Sequence, residues 1–264
     1  MDNSLKFKEL REKYKEFIYE DYEIKENNEE ICIEYKFEIP GCAKFKPNIK
    51  ILKKNMNIKE IKGNKIKNMV FHIGLIELIS YWKSTCSPNV IIKCGSLNEE
   101  QKSWLKKLYF YGLGELFFTN NIQTNINDFI NIKTEGETLE IQEEKDNLSG
   151  YIVPIGGGKD SIVTLETLRV DKNKDFCLII NPKPVTLECA KTAGFDNDNI
   201  IEVYRTIDKE LLNLNSKGYI NGHTPFSSML ASLSYFIAYI TGKKYVALSN
   251  ESSANESNVM RRKN

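Results

Sequence analysis

The stretch Tyr151-Ile-Val-Pro-Ile-Gly-Gly-Gly-Lys-Asp-Ser161 decides how the rest of this 264-residue chain is read. Tyr151 to Ile155 is a short apolar run that reads as a strand, and Ser161 to Val170 reads as a helix. Between them stand Gly156, Gly157 and Gly158. Three bare α-carbons let backbone N–H groups converge on an anion with no side chain in the way. The helix that follows turns its unpaired N–H groups and positive dipole end toward the same point. Ser161 adds a hydroxyl and Lys159 a mobile positive charge. Asp160 would repel bare phosphates, so in a working site it caps the helix or faces a bridging Mg²⁺. A turn that merely joins a strand to a helix has no need of three glycines.

Two rival glycine loops fail on position. A Walker loop needs a glycine where Val153 stands and Ser or Thr where Asp160 stands. A dinucleotide fingerprint begun at Gly156 and Gly158 meets Ser161 in place of its third glycine.

Working outward, the residues after the loop alternate between strands and helices. Phe176–Ile180, Ile200–Tyr204 and Tyr245–Leu248 read as strands, and Leu187–Ala193 and Pro225–Ile240 as helices. Short apolar strands separated by helices predict an α/β domain with a doubly wound parallel sheet. Before the loop the pattern differs. Leu5–Tyr19 reads as a helix followed by an acidic connection. Ile31 to Ile39 alternates apolar and charged residues as a half-buried strand does. Asn48–Leu52 is a weaker strand, Met69–Trp82 a buried helix, Val90–Lys93 a short strand and Glu99–Tyr111 a helix. Asn121 to Leu148 is polar. The expected boundary lies near 145, with a smaller α+β domain over 1–145, a candidate for substrate recognition, and a nucleotide domain over 146–264.

Composition sets the outer limits. The chain is 41% hydrophobic and 28% charged, with 37 basic and 36 acidic side chains and a formal net charge of +1. This is the balance of a soluble globular protein and gives no sign of a nucleic-acid or membrane partner. The charged start, Met1 to Arg11, does not read as a signal peptide. Pro225–Ile240 carries four serines and is shorter than the roughly 20 apolar residues a spanning helix needs. Six cysteines with no CxxC pair fit neither a zinc site nor a redox motif, and predict reduced thiols in a cytoplasmic protein.

Three further segments carry polar groups where an open α/β sheet binds ligands, beyond the carboxyl ends of its strands. Asn181 opens Asn181-Pro-Lys-Pro184, where it could meet adenine or ribose; a strand end closed by proline explains it equally well. His223 lies in Asn221-Gly-His-Thr-Pro-Phe-Ser227, just before the apolar helix, and could touch phosphate or act as acid or base. Asn250 and Glu251 follow the last strand. Glu251 could bind Mg²⁺ or a substrate ammonium and Asn250 could orient a substrate, although a solvated tail explains both. His72, inside an apolar helix, reads as a satisfied core or interface histidine.

The loop resembles the SGGxDS signature of the PP-loop ATP pyrophosphatases, the adenine nucleotide alpha hydrolase-like fold. Gly157, Gly158, Asp160 and Ser161 match it, and Gly156 replaces the leading serine. That likeness implies cleavage of ATP to AMP and pyrophosphate. A narrower resemblance rests on a set of segments: Phe71–Lys83 (FHIGLIELISYWK), Lys93-Cys-Gly95, Tyr109–Phe117 (YFYGLGELF), GGGKDS, NGHTPFSS and SNESSANESNV. Together these are similar to the ATP-dependent UDP-N-acetylmuramoyl-L-alanyl-L-glutamate epimerases of peptidoglycan synthesis. The resemblance runs from about residue 65 to 259. It implies inversion of the terminal L-Glu of a UDP-linked muramoyl dipeptide, with ATP and Mg²⁺ consumed. It leaves His223, Glu251 and Lys159 as candidates for the general base. It also implies a chain continuing well past the last strand, so the expectation is a truncated or split product. The rivals are another PP-loop enzyme, an amide ligase or an RNA-modifying one, and a non-catalytic nucleotide-binding module.

Overall fold

The structure is a computed structural model and describes residues 3–54, 56–141, 147–168, 171 and 174–250. Helix α1 (Asn3–Lys13) leads into the hairpin of β1 (Glu16–Glu26) and β2 (Glu30–Ile39), then β3 (Ala43–Phe45) and β4 (Asn48–Leu52). Helix α2 (Asn64–Trp82), β5 (Asn89–Ile92), α3 (Glu99–Gly112), α4 (Gly114–Thr119) and β6 (Asn131–Thr134) complete the first half. The second half runs β7 (Tyr151–Pro154), α5 (Lys159–Leu168), β8 (Phe176–Ile180), α6 (Pro184–Thr192) and β9 (Ile200–Thr206). It ends with α7 (Lys209–Ser216), α8 (Phe226–Ile240) and β10 (Tyr245–Val246).

The strands form one mixed sheet in the order β10-β7-β8-β9-β4-β2-β1-β5-β6, with β3 paired to β2. Strands β10, β7, β8 and β9 are mutually parallel, and β9 then pairs antiparallel with β4. Strands from before and after residue 145 therefore belong to one sheet, and the chain is α/β.

The two ends of the sheet are covered differently, and the residue pattern explains why. Along β2 every second residue is buried: Ile31, Ile33, Tyr35, Phe37 and Ile39. Four of the five alternate positions carry charges, and three of them pair across strands: Glu30 with Lys50, Lys36 with Asp21 and Glu38 with Lys44. An antiparallel sheet with one wet face gives this alternation. Strands β7 and β8 have no wet face. Ile152 and Leu178 join the core that holds α2 and α8, while Val153, Cys177 and Ile179 join a second core with Leu165 of α5 and Ala190 of α6. Both faces are apolar because helices lie on both.

Helix α2 packs against α8 and against β1 and β2. That position explains its almost uninterrupted apolar run, with Glu77 buried inside it. A reciprocal cap starts α3, where the Asn98 side chain accepts from the Gln101 N–H and the Gln101 side chain accepts from the Asn98 N–H. Among the described residues no helix is long and apolar enough to cross a membrane.

Two expectations need correction. The helix read over Leu5–Tyr19 stops at Lys13, and the residues read as its end and as an acidic connection form β1. Phe17 and Tyr19 are fully buried beside β2, so tertiary pairing overrides the local helical spacing. The polar segment 121–148 contains a strand, β6, which pairs with β5 through its backbone and needs few apolar side chains. The six cysteines are all unpaired; Cys86 and Cys177 are buried and the other four half-buried.

Candidate functional site

The glycine loop joins the carboxyl end of β7 to α5, and a cavity of about 390 Å³ opens beside it. Gly156, Gly158, Asp160 and Ser161 form one wall. Leu178 and Ile180 of β8, Phe226 and Leu230 of α8, and Leu248 and Ser249 after β10 complete the lining. The cavity thus sits past the carboxyl ends of parallel strands, where open α/β sheets bind ligands.

The three glycines are there for different reasons. Gly157 has φ of +83°, and a Cβ on it would lie 3.1 Å from Cγ2 of Thr186. Gly156 and Gly158 have no positive φ, and a Cβ on either would meet nothing within 4 Å. Neither the backbone nor the packing asks for glycine at those two positions. Both nonetheless present bare backbone to the cavity.

The first turn of α5 is held by short local bonds. The Ser161 hydroxyl is buried and donates to the Gly158 carbonyl at 2.9 Å. Thr164 Oγ1 donates to the Asp160 carbonyl at 2.9 Å and lies 2.7 Å from Ser249 Oγ. That second contact fastens the segment after β10 to α5. Lys159 is exposed at the start of the helix, and Asp160 is half-buried on the cavity wall.

The other candidates fall in different places. Asn181 does not line the cavity; its Oδ1 accepts the Arg205 backbone N–H at 2.8 Å, and its φ is +50°. His223 is exposed, and its Nδ1 lies 2.5 Å from Glu115 Oε1 of α4. It does not line the cavity, although its neighbour Phe226 does. Asn250 is exposed next to the cavity-lining Ser249. Glu251 lies outside the described residues. Among the described residues no group of three or more His, Cys, Asp and Glu side chains could hold a metal ion. His72 Nδ1 bonds the Asn68 carbonyl at 2.8 Å, the local partner a half-buried histidine needs.

One pair near the site was missed by sequence reasoning. Arg205, in β9, donates from Nε to Glu77 Oε2 at 2.7 Å and from Nη2 to Glu77 Oε1 at 3.0 Å. Burial pushes the Glu77 carboxyl up, and the charge and hydrogen bonds of Arg205 pull it back. The two-pronged contact is the geometry of an ionised pair. A lone glutamate in the apolar helix α2 was the available signal, because buried charges are paired.

The family model described as MurL N-terminal domain matches residues 8–264. The chain is 29% identical, over 69% of its length and 39% of the relative's, to the UDP-N-acetyl-alpha-D-muramoyl-L-alanyl-L-glutamate epimerase of Xanthomonas oryzae pv. oryzae (strain MAFF 311018). It is 27% identical to the protein of the same name from Salinispora tropica (strain ATCC BAA-916 / DSM 44818 / JCM 13857 / NBRC 105044 / CNB-440), over 71% of this chain and 40% of that one. The chain therefore spans only 39–40% of the length of these curated relatives. No solved structure matches it. With nearly all of its residues matched, the chain belongs to the MurL N-terminal domain family.

Proposed function

We propose that this chain carries the ATP site of an epimerase that inverts the terminal L-Glu of UDP-N-acetylmuramoyl-L-Ala-L-Glu to D-Glu. The observation that carries the ATP site is the bareness of Gly156 and Gly158, which face the cavity where neither backbone nor packing calls for glycine. Close approach of a ligand to the backbone accounts for it. On this reading β7 to β9 and their flanking helices are a doubly wound PP-loop unit. The phosphates lie on the loop and the N-terminus of α5, and the adenine lies against Ile180, Phe226, Leu230 and Leu248. Mg²⁺ fits as a companion of the phosphates, since it keeps much of its water and takes one or two carboxylates; Asp160 would be the one at hand.

The substrate reading rests on the names of the relatives. Its chemistry is consistent with an ATP site. An ionised carboxylate holds its α-hydrogen tightly, because deprotonation would set a second negative charge beside the first. Adenylation removes the first charge, releases pyrophosphate and makes that hydrogen acidic. A base must then take the proton, and Lys159, His223 and Glu251 are the candidates. Water then hydrolyses the reprotonated acyl-adenylate to the carboxylate and AMP. Residues 1–145 would contribute to recognition of the UDP-sugar, in a cytoplasmic protein.

The test is an incubation in D₂O with the muramoyl L-Ala-L-Glu nucleotide, ATP and Mg²⁺, with the Xanthomonas relative as reference. Deuterium should enter at the glutamate α-carbon, and omitting ATP should abolish the exchange. Exchange without ATP would overturn the activation step. ATP binding with no exchange and no AMP would leave a nucleotide-binding module and contradict the epimerase reading.

A further inference from the structure

The Glu77–Arg205 pair lies outside the loop cavity, yet a continuous chain of contacts joins it to the loop. With side chains 1% and 12% exposed, the two residues are almost fully withdrawn from water. Arg205 also donates to Ser80 Oγ at 3.2 Å, so two side chains of α2 fix its guanidinium. Its backbone N–H in turn donates to Asn181 Oδ1 at 2.8 Å, and the Asn181 N–H donates to the Val203 carbonyl at 2.7 Å. These bonds hold Asn181 at φ +50°, in the left-handed region that asparagine enters more readily than most L-residues.

From Asn181 the chain runs through Pro182 and Lys183 into α6. The Lys183 N–H donates to Thr186 Oγ1 at 2.9 Å, and the methyl of Thr186 packs against Gly157.

Stability alone does not account for the pair. Replacing a buried ion pair with well-packed apolar residues is often neutral or stabilising, because two desolvation penalties disappear. What an apolar replacement cannot supply is the fixed direction of a two-pronged fork.

We propose that Glu77 and Arg205 are a positioning pair that sets the strand end at Asn181, and through α6 the height of Gly157 in the phosphate loop. The effect on ATP rests on the reading of the cavity as an ATP site; the effect on the loop does not.

The experiment compares wild type, Arg205→Lys, the double variant Glu77→Met with Arg205→Met, and a remote core control, Leu105→Ala. Hydrogen–deuterium exchange is followed over 156–161 and 181–186, with thermal unfolding and calorimetric titration of ATP with Mg²⁺. In the double variant both segments should exchange faster while the unfolding temperature holds. ATP affinity should fall about tenfold or more, as expected for small misplacements in a binding site. Arg205→Lys, which keeps charge but not the fork, should loosen the same two segments. Leu105→Ala should lower the unfolding temperature, leave both segments protected and change ATP affinity by no more than about twofold. Unchanged exchange in both segments of the folded double variant would overturn the proposal, whether or not ATP binds. Faster exchange in the double variant, together with a wild type that binds no ATP, would uphold the positioning and refute the ATP site instead.

Discussion

The γ-methyl of Thr186, at the start of α6, packs against the α-carbon of Gly157 so closely that a Cβ there would lie 3.1 Å away. With φ at +83°, Gly157 is the one loop glycine that the fold itself requires. Gly157→Ala should therefore cost about 1–3 kcal/mol, the range for a residue held in a sparsely populated backbone conformation. Gly156→Ala should be close to neutral for folding, since its Cβ enters open space. Thermal unfolding of the two variants checks the contrast, and equal losses would contradict it.

Ser161 and Lys159 should matter for ATP in different ways. Ser161→Ala removes the bond that draws the loop carbonyl at Gly158 onto α5, and Lys159→Ala removes a positive charge from the loop. Both should weaken ATP binding in calorimetry. Unchanged affinity in both would remove the loop from the site.

Alkaline stability should reflect two thiols. Burial pushes Cys177 up to about 12, and Cys86 also to about 12 against the opposing charges of Arg11 and Lys83. In the unfolded chain both ionise near about 8.5. The folded state thus holds protons that the unfolded state releases, so stability is complete below about pH 8.5 and falls as pH rises toward 12. Unfolding temperature measured from pH 7 to pH 10 should drop at the alkaline end, and less so in Cys177→Ala. A flat profile in wild type would contradict the burial of these thiols.

On the proposed reading any ATP turnover should give AMP and pyrophosphate, because the loop resembles the PP-loop signature and fails the Walker one. Chromatography of the products decides this. ADP and phosphate as the main products would count against it.

Much of the architecture was legible because it is written in short-range patterns. The alternation of Ile31 to Ile39 marks β2, the glycine loop marks the β7–α5 turn, and uncharged Phe226–Ile240 marks α8. What was missed depends on distant partners. Strand β1 hides inside a helix-like run because its identity comes from pairing with β2 and β5. The junction of β4 with β9 carries no local signature, so the sharing of one sheet by both halves could not be foreseen. Glu77 stands out in an apolar helix, but its partner Arg205 is 128 residues away. Asn181 stands at a strand end where a ligand contact and a simple proline-closed end read equally well, and its side chain meets the Arg205 backbone.

The most direct test of the account is a calorimetric titration of ATP with Mg²⁺ into wild type and Gly158→Ala. Position 158 has room for a methyl group and lines the cavity, so the variant should fold as wild type does. A methyl there would stand between the loop backbone and a phosphate. The account predicts one ATP site in wild type, and an affinity about tenfold lower or worse in Gly158→Ala, at an unchanged unfolding temperature. No binding by wild type, or equal affinity in the two proteins, would contradict it.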